Sequence, residues 1–309
     1  MSLHFGMPRT TGGLASALVL AYAVGGCSEP DVPAPSQAPA APPDTDIYLA
    51  SLSGSGAGLA LGPALNVTDR IGYDNQPAFM PDGGTILYTA ADDAGRTDIM
   101  GYDIEAGQGA LVTQTYPESE YSATPLPDGS GFSAIRVEAD STQRLWRFNW
   151  DGSDPSVLLP DIAPAGYHAW AGSETLILFV LGAPATLQVA QVGPGEGRIL
   201  DEGIGRSLQQ VPGGRGISYV RVQGDERTIR ILDPVSGESE AFAPAVGAGQ
   251  DHAWTPDGDL LMAEGGILRR WSVDGEMWTD VPMDGTFDGQ ISRLAVSPAG
   301  DQLAFVGAR

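Results

Sequence analysis

Lysine is absent from this chain, and there is a single cysteine. All 16 basic residues are arginines, set against 39 acidic ones, for a formal net charge of −23. So acidic a surface repels a phosphate backbone, which excludes general nucleic-acid binding. The missing lysine has two readings that composition does not separate: a GC-rich genome that seldom uses lysine codons, or adaptation to high salt. With Cys27 alone, no intramolecular disulfide can form, and stability must come from a buried core. Helical patterning is lacking too. No stretch keeps a 3.6-residue period over three turns. The 42 glycines and 24 prolines among 309 residues also argue against long helices, since glycine costs about 1 kcal/mol and proline about 3 kcal/mol in a helix interior. An all-β chain is the expectation.

The N-terminus reads as an export signal over residues 1–26. Arg9 supplies a positive start, no acidic residue precedes Glu29, and the apolar stretch Leu14–Val24 has 11 residues. That is too short for a spanning helix, which needs about 20, but it suits the apolar core of a signal peptide. The stretch ends in Val24-Gly25-Gly26-Cys27, which resembles the bacterial lipobox, an apolar residue and two small ones before a lipidated cysteine. The resemblance implies cleavage between Gly26 and Cys27 and a diacyl anchor on Cys27. Residues 27–45 then read as a tether. Ser28–Pro43 holds six prolines in 16 residues, and in polyproline II form it would span about 50 Å. The sorting rule that accompanies the lipobox implies that Ser28, in place of aspartate, permits outer-membrane placement if the host has two membranes.

Residues 46–309 are organised by an internal repeat. Its signature is a Pro-Asp-Gly turn followed by a short apolar strand, at Pro81-Asp82-Gly83, Pro127-Asp128-Gly129, a degenerate Gly172-Ser173, Pro212-Gly213-Gly214, Pro256-Asp257-Gly258 and Pro298-Ala299-Gly300. The copies recur at 40- to 46-residue steps, the length of one four-stranded propeller blade. Proline and aspartate suit the early positions of a tight turn, and glycine supplies the positive φ. Strands follow, among them Thr85–Thr89, Leu176–Val180 and Gln302–Val306. The sixth repeat has two strands before Arg309. Asp46–Ala50 reads as a third strand and Leu61–Thr68 as a fourth, so the two ends would complete one blade together. The expectation is a six-bladed β-propeller closed by pairing of N- and C-terminal strands, which leaves no open sheet edge between blades.

These repeats resemble the TolB family of WD-like propellers, the periplasmic component of the Tol–Pal envelope system, over about residues 46–309. The resemblance implies a fold and not a role. TolB carries an α/β domain before its propeller, where this sequence has a tether, and TolB is soluble where this chain reads as lipid-anchored.

Candidate binding residues come from one place in the repeat, the first strand ahead of each turn. Tyr167-His168-Ala169-Trp170 and Asp251-His252-Ala253-Trp254 share a frame, and Gln76, Ser122, Ser207 and Arg293 stand at matching positions of the other blades. First strands of propellers face the central channel, so Gln76, Ser122, Tyr167, His168, Ser207, Asp251, His252 and Arg293 form a candidate channel-mouth set. Two imidazoles from different blades could bridge a metal or a small anion, but without a third ligand they fall short of a metal site, and repeat equivalence alone explains their frame. No metal or cofactor is therefore expected. The six tryptophans either stack on sugars at a rim or fill the wedges between blades, the commoner use. The loop Asp92–Asp98 lacks the spacing of a calcium loop and reads as a solvated turn. No Gly-x-Ser-x-Gly elbow, His-Glu-x-x-His helix or phosphate loop is present. The functional expectation is a monomeric, envelope-anchored lipoprotein whose propeller is a non-catalytic platform for a protein or glycan partner. The alternative is a propeller enzyme, a polysaccharide lyase or glycosidase, working through His168, His252 and Arg293.

Overall fold

The computed structural model describes residues 43–308. The residues read as an export signal, as the Gly26–Cys27 cleavage and lipidation site and as nearly all of the tether lie outside the described residues. Within 43–308 the chain forms six antiparallel sheets and, apart from two short 3₁₀ turns, no helix. Blade 1 runs Asp74–Phe79, Thr85–Ala91, Thr97–Asp103 and Gln108–Leu111. Blade 2 runs Ser119–Pro125, Gly131–Val137, Gln143–Asn149 and Ser156–Val157. Blade 3 comprises Ala165–Trp170, Thr175–Val180, Thr186–Gln191 and Arg198–Glu202, and blade 4 Ile204–Gln210, Ile217–Gln223, Glu226–Leu232 and Ser239–Pro244. Blade 5 has His252–Trp254, Leu260–Glu264, Ile267–Ser272 and Met277–Asp280. First strands pack against those of neighbouring blades at five junctions, and at the junction of blades 2 and 3 Ala165–Trp170 packs against Gly131–Val137 and Gln143–Asn149. The six-bladed propeller inferred from the repeats is the architecture.

Blade 6 is assembled from both ends of the described chain. Ile291–Val296 and Gln302–Ala308 supply its inner strands, and Thr45–Ser53 pairs with the latter from Thr45↔Ala308 to Ser51↔Gln302. The outer strand departs from expectation. In place of one strand over Leu61–Thr68 there are two short ones, Ala60–Leu61 and Leu65–Asn66, both paired to Thr45–Ser53. Gly62-Pro63 separates them, and Pro63 has no N–H for a ladder.

Each junction between blades holds its own apolar cluster, which is why the second strands read as unbroken apolar runs. Along Leu176-Ile177-Leu178, the outer two pack toward blade 2 and the middle one toward blade 4. Leu303 and Phe305 face blade 5, while Ala304 and Val306 face blade 1. A period-2 strand wedged between two neighbours must be apolar on both faces. The tryptophans fill these wedges: Trp170, Trp254 and Trp271 are buried at junctions.

The turns behave as their residues dictate. Gly83 lies at φ +74° and donates its N–H to the Met80 carbonyl at 2.9 Å, and Asp82 accepts from Gly84 N at 2.9 Å. The acidic loop is a turn closed on itself, with Asp92 accepting from Ala94 N and Arg96 N and ion-paired to Arg96.

Candidate functional site

The first strands enclose a central cavity of about 760 Å³. Its mouth is formed by the turns after those strands, including Pro127, Pro212, Pro256 and Pro298. Counting back from the turn proline or its equivalent, the fifth residue in each blade is Gln76, Ser122, Tyr167, Ser207, Asp251 or Arg293. All six line the cavity. Apart from Arg206, one place further back, no lining residue lies deeper, so this tier is the floor.

The backbone explains why these side chains reach inward. In blades 1, 2, 3, 4 and 6 the pairing of first and second strands slips at a bulge, between Asn75 and Ala78, Tyr121 and Thr124, Ala165 and Tyr167, Ile204 and Leu208, and Ser292 and Ala295. Bulges re-aim side chains. Gln76, Ser122 and Arg293 sit at φ +57°, +55° and +50° within them. Such a backbone costs a non-glycine residue on the order of 1–3 kcal/mol and persists only where its surroundings hold it.

The floor is polar and cross-braced. Arg293 donates from Nη2 to the Tyr167 hydroxyl at 2.9 Å, and its guanidinium lies 4.9 Å from the Tyr167 ring centroid. Those residues belong to blades 6 and 3, which stand opposite each other in a six-membered ring, so the contact bars the channel and the cavity is a blind funnel. Asp251 accepts from Arg206 Nη2 at 3.1 Å and faces Arg293 Nη1 at 3.5 Å. Burial would raise the Asp251 pKa, but Arg293 and Arg206 outweigh it and hold the carboxyl below its ordinary range. Beneath the floor, burial pushes the Tyr73 phenol up to about 12, against the pull of Arg293. Gln76 Oε1 accepts from Thr89 Oγ1 and from Ser122 N, both at 2.9 Å, which ties blade 1 to blade 2. Ser122 Oγ is shielded from solvent with no hydrogen-bond partner.

His168 and His252 border the cavity, but their bonds run sideways into the preceding blade. His168 Nε2 meets Ser133 Oγ at 2.7 Å, and the same oxygen accepts from Trp170 Nε1 at 3.0 Å. Ser133 Oγ also lies 3.2 Å from the Thr124 carbonyl, so one hydroxyl holds an imidazole, an indole and a backbone carbonyl together. Blades 4 and 5 repeat the unit, with His252 Nε2 and Trp254 Nε1 both 2.8 Å from Ser218 Oγ, which donates to Gln209 O. Burial depresses the His168 pKa to about 3 and the His252 pKa to about 4, so both are neutral. Among the described residues no group of three or more His, Cys, Asp or Glu could hold a metal ion.

Two features escaped the sequence reading. Arg206 was missed because Ser207 occupies the aligned position, and only the bulge turns its neighbour toward Asp251. Ser133 and Ser218 were missed although a signal exists. Both stand six residues after a turn proline, in the blades that precede the two His-x-Trp frames.

No family model matches the sequence, and no curated protein is recognisably similar to it. Solved structures resemble it in fold. A putative TolB from Agrobacterium tumefaciens superposes with a TM-score of 0.65 at 14% identity, covering 87% of this chain and 99% of that one. TolB from Acinetobacter baumannii gives 0.60 at 16% identity over 81% of this chain and 66% of its own, so the chain spans about two thirds of that protein's length. An oligogalacturonate lyase from Vibrio parahaemolyticus gives 0.55 at 14% identity, covering 81% and 83%. The TolB-like propeller suggested by the repeats is thus matched in three dimensions, and at these identities the likeness establishes the fold alone.

Proposed function

We propose that this chain is a cell-envelope lipoprotein whose propeller is a binding platform, taking a protein or glycan partner into the mouth of the blind funnel. The observation that carries the reading is the funnel itself: about 760 Å³, open at the turn side, and floored by convergent polar groups from all six blades. Ligand sites are concave, mostly apolar in their walls and provided with a few placed polar groups. The imidazoles that a catalytic reading would use are neutral, buried and engaged with serine, poorly disposed to move a proton. Envelope location rests on the export signal, on the lipobox at Gly26–Cys27 and on the likeness to TolB.

The likeness to oligogalacturonate lyase favours a second reading, an enzyme acting on polysaccharide at the same mouth. One comparison tests both. Ala78 lines the funnel wall, and Ala78→Trp projects an indole into it and narrows it. Crosslinking from intact envelopes with the lipidated protein should recover a partner for the wild type and lose it for Ala78→Trp, provided both proteins melt alike. Equal capture by the two would remove the funnel as the binding site. Depolymerisation of an envelope or plant-wall polysaccharide by the wild type, abolished by Ala78→Trp, would establish the enzyme instead.

A further inference from the structure

The funnel floor has a charge balance opposite to that of the molecule. Its lining holds two arginines, Arg206 and Arg293, and one carboxylate, Asp251, while both histidines are neutral. The floor therefore carries one positive charge in excess, within a chain of formal charge −23. Asp251 is shared between the two: Arg206 reaches both its oxygens, Nε to Oδ1 at 3.4 Å and Nη2 to Oδ2 at 3.1 Å, and Arg293 Nη1 stands 3.5 Å from the same Oδ1. Among the described residues Asp251 is the one carboxylate ion-paired to either arginine, and the phenol beside them, Tyr73, stays protonated. The Arg293 side chain is 12% exposed, so bulk water screens it poorly. A poorly hydrated cation without a full counter-charge is costly and favours an anion beside it. Arg293 is moreover held at φ +50° by its bulge, a conformation that arginine seldom adopts unaided.

Building on the reading that the funnel takes a ligand, we propose that its floor is a recognition subsite for a carboxylate, seated against Arg206 and Arg293. The planar forks of two guanidiniums suit a carboxylate's paired oxygens. The occupant is a small organic acid, or the acidic end of a larger ligand, with its carboxylate inward and its polar body toward the turns.

The test is isothermal titration of the full mature protein in detergent, at fixed ionic strength, with two matched pairs: glucuronate against glucose, and N-acetylalanine against its amide. In at least one pair the acid should bind tenfold or more tighter than its neutral counterpart, and the pair that responds distinguishes a sugar acid from a peptide-like end. Arg206→Gln and Arg293→Gln should each lower acid affinity at least fivefold more than they lower the neutral compound's. Asp251→Asn should raise acid affinity, an increase that a merely unfolded variant could not give. Equal binding of acid and neutral members, no binding of any probe, or a preference that survives both arginine replacements would overturn the subsite. If neutral members bind as tightly as acids and Ala78→Trp abolishes that binding, only the carboxylate preference falls. If nothing binds and envelope capture ignores Ala78→Trp, the funnel reading falls with it.

Discussion

Ser133 and Ser218 each serve a tryptophan and a histidine with one oxygen. Replacing either by alanine strips a buried indole N–H and a buried imidazole nitrogen of their partner, and leaving a buried polar group unmet costs about 1–3 kcal/mol. Ser218→Ala should therefore lose roughly 2–4 kcal/mol in urea unfolding, with Ser133→Ala similar. A loss below half a kcal/mol in both would show that the hydroxyls are incidental. The same two units set a pH dependence. The folded protein holds its imidazoles neutral down to about 3 and about 4, whereas unfolded histidine takes up a proton near 6.5. Between these values the unfolded state binds more protons. Stability is thus greatest above about pH 6.5 and falls as pH drops toward 4, by up to about 1.4 kcal/mol per unit for each histidine. The double variant His168→Gln/His252→Gln should flatten that decline in thermal melts across pH 4–8, and an unchanged slope would contradict the assignment.

Among elements, the closing strand Thr45–Ser53 carries the most consequence, because its ladder from Thr45↔Ala308 to Ser51↔Gln302 joins the start of the described chain to its end. Its Asp46 is fully buried and accepts from Asn66, Thr68 and the Arg70 backbone, while the Arg70 side chain continues to Asp74 of blade 1. The closure is thereby stitched to the next blade by polar bonds as well as by the sheet. Ala50 pairs with Leu303 in mid-strand. Ala50→Pro removes a ladder donor there and should cost about 3 kcal/mol or more. Hydrogen exchange should then show blades 6 and 1 losing protection first. Protection lost evenly around the ring would mean that closure is no weaker than any other seam. At this scale the sequence was highly legible, since turns at regular steps and strands such as Leu176–Val180 fix blade number. The fourth strand of blade 6 was less so. Short edge strands carry little pattern, and Gly62-Pro63 breaks this one within what looked continuous.

The whole molecule must contend with its charge. With 39 acidic residues against 16 basic ones, like charges crowd one another on a compact surface, and self-repulsion weakens the folded state until salt screens it. The melting temperature should climb between 10 and 150 mM NaCl, as the screening length falls from about 30 Å to about 8 Å. The two explanations for the missing lysine part beyond that. Genome composition predicts a plateau above a few hundred millimolar, and salt adaptation predicts a continued rise toward molar concentrations. Anchoring is testable on the same scale: membrane-extracted protein should begin at Cys27 with a mass raised by its acyl chains, and Cys27→Ser should appear in the soluble fraction. A soluble wild type with an unmodified thiol would refute the lipid anchor.

The order of residues determined the blade count, the turn chemistry, the ring closure and which strand of each blade faces the channel, because each of these follows from local periodicity repeated six times. The tier Gln76, Ser122, Tyr167, Ser207, Asp251 and Arg293 was legible for the same reason. What the tier does was left to the folded ring. Bulges brought Arg206 rather than Ser207 to Asp251, curvature set Arg293 against Tyr167 from the opposite blade, and packing turned His168 and His252 away into the seams. Repetition along a chain encodes equivalence of position, but contacts across an axis join blades far apart in sequence, and only closure of the ring brings them within bonding distance.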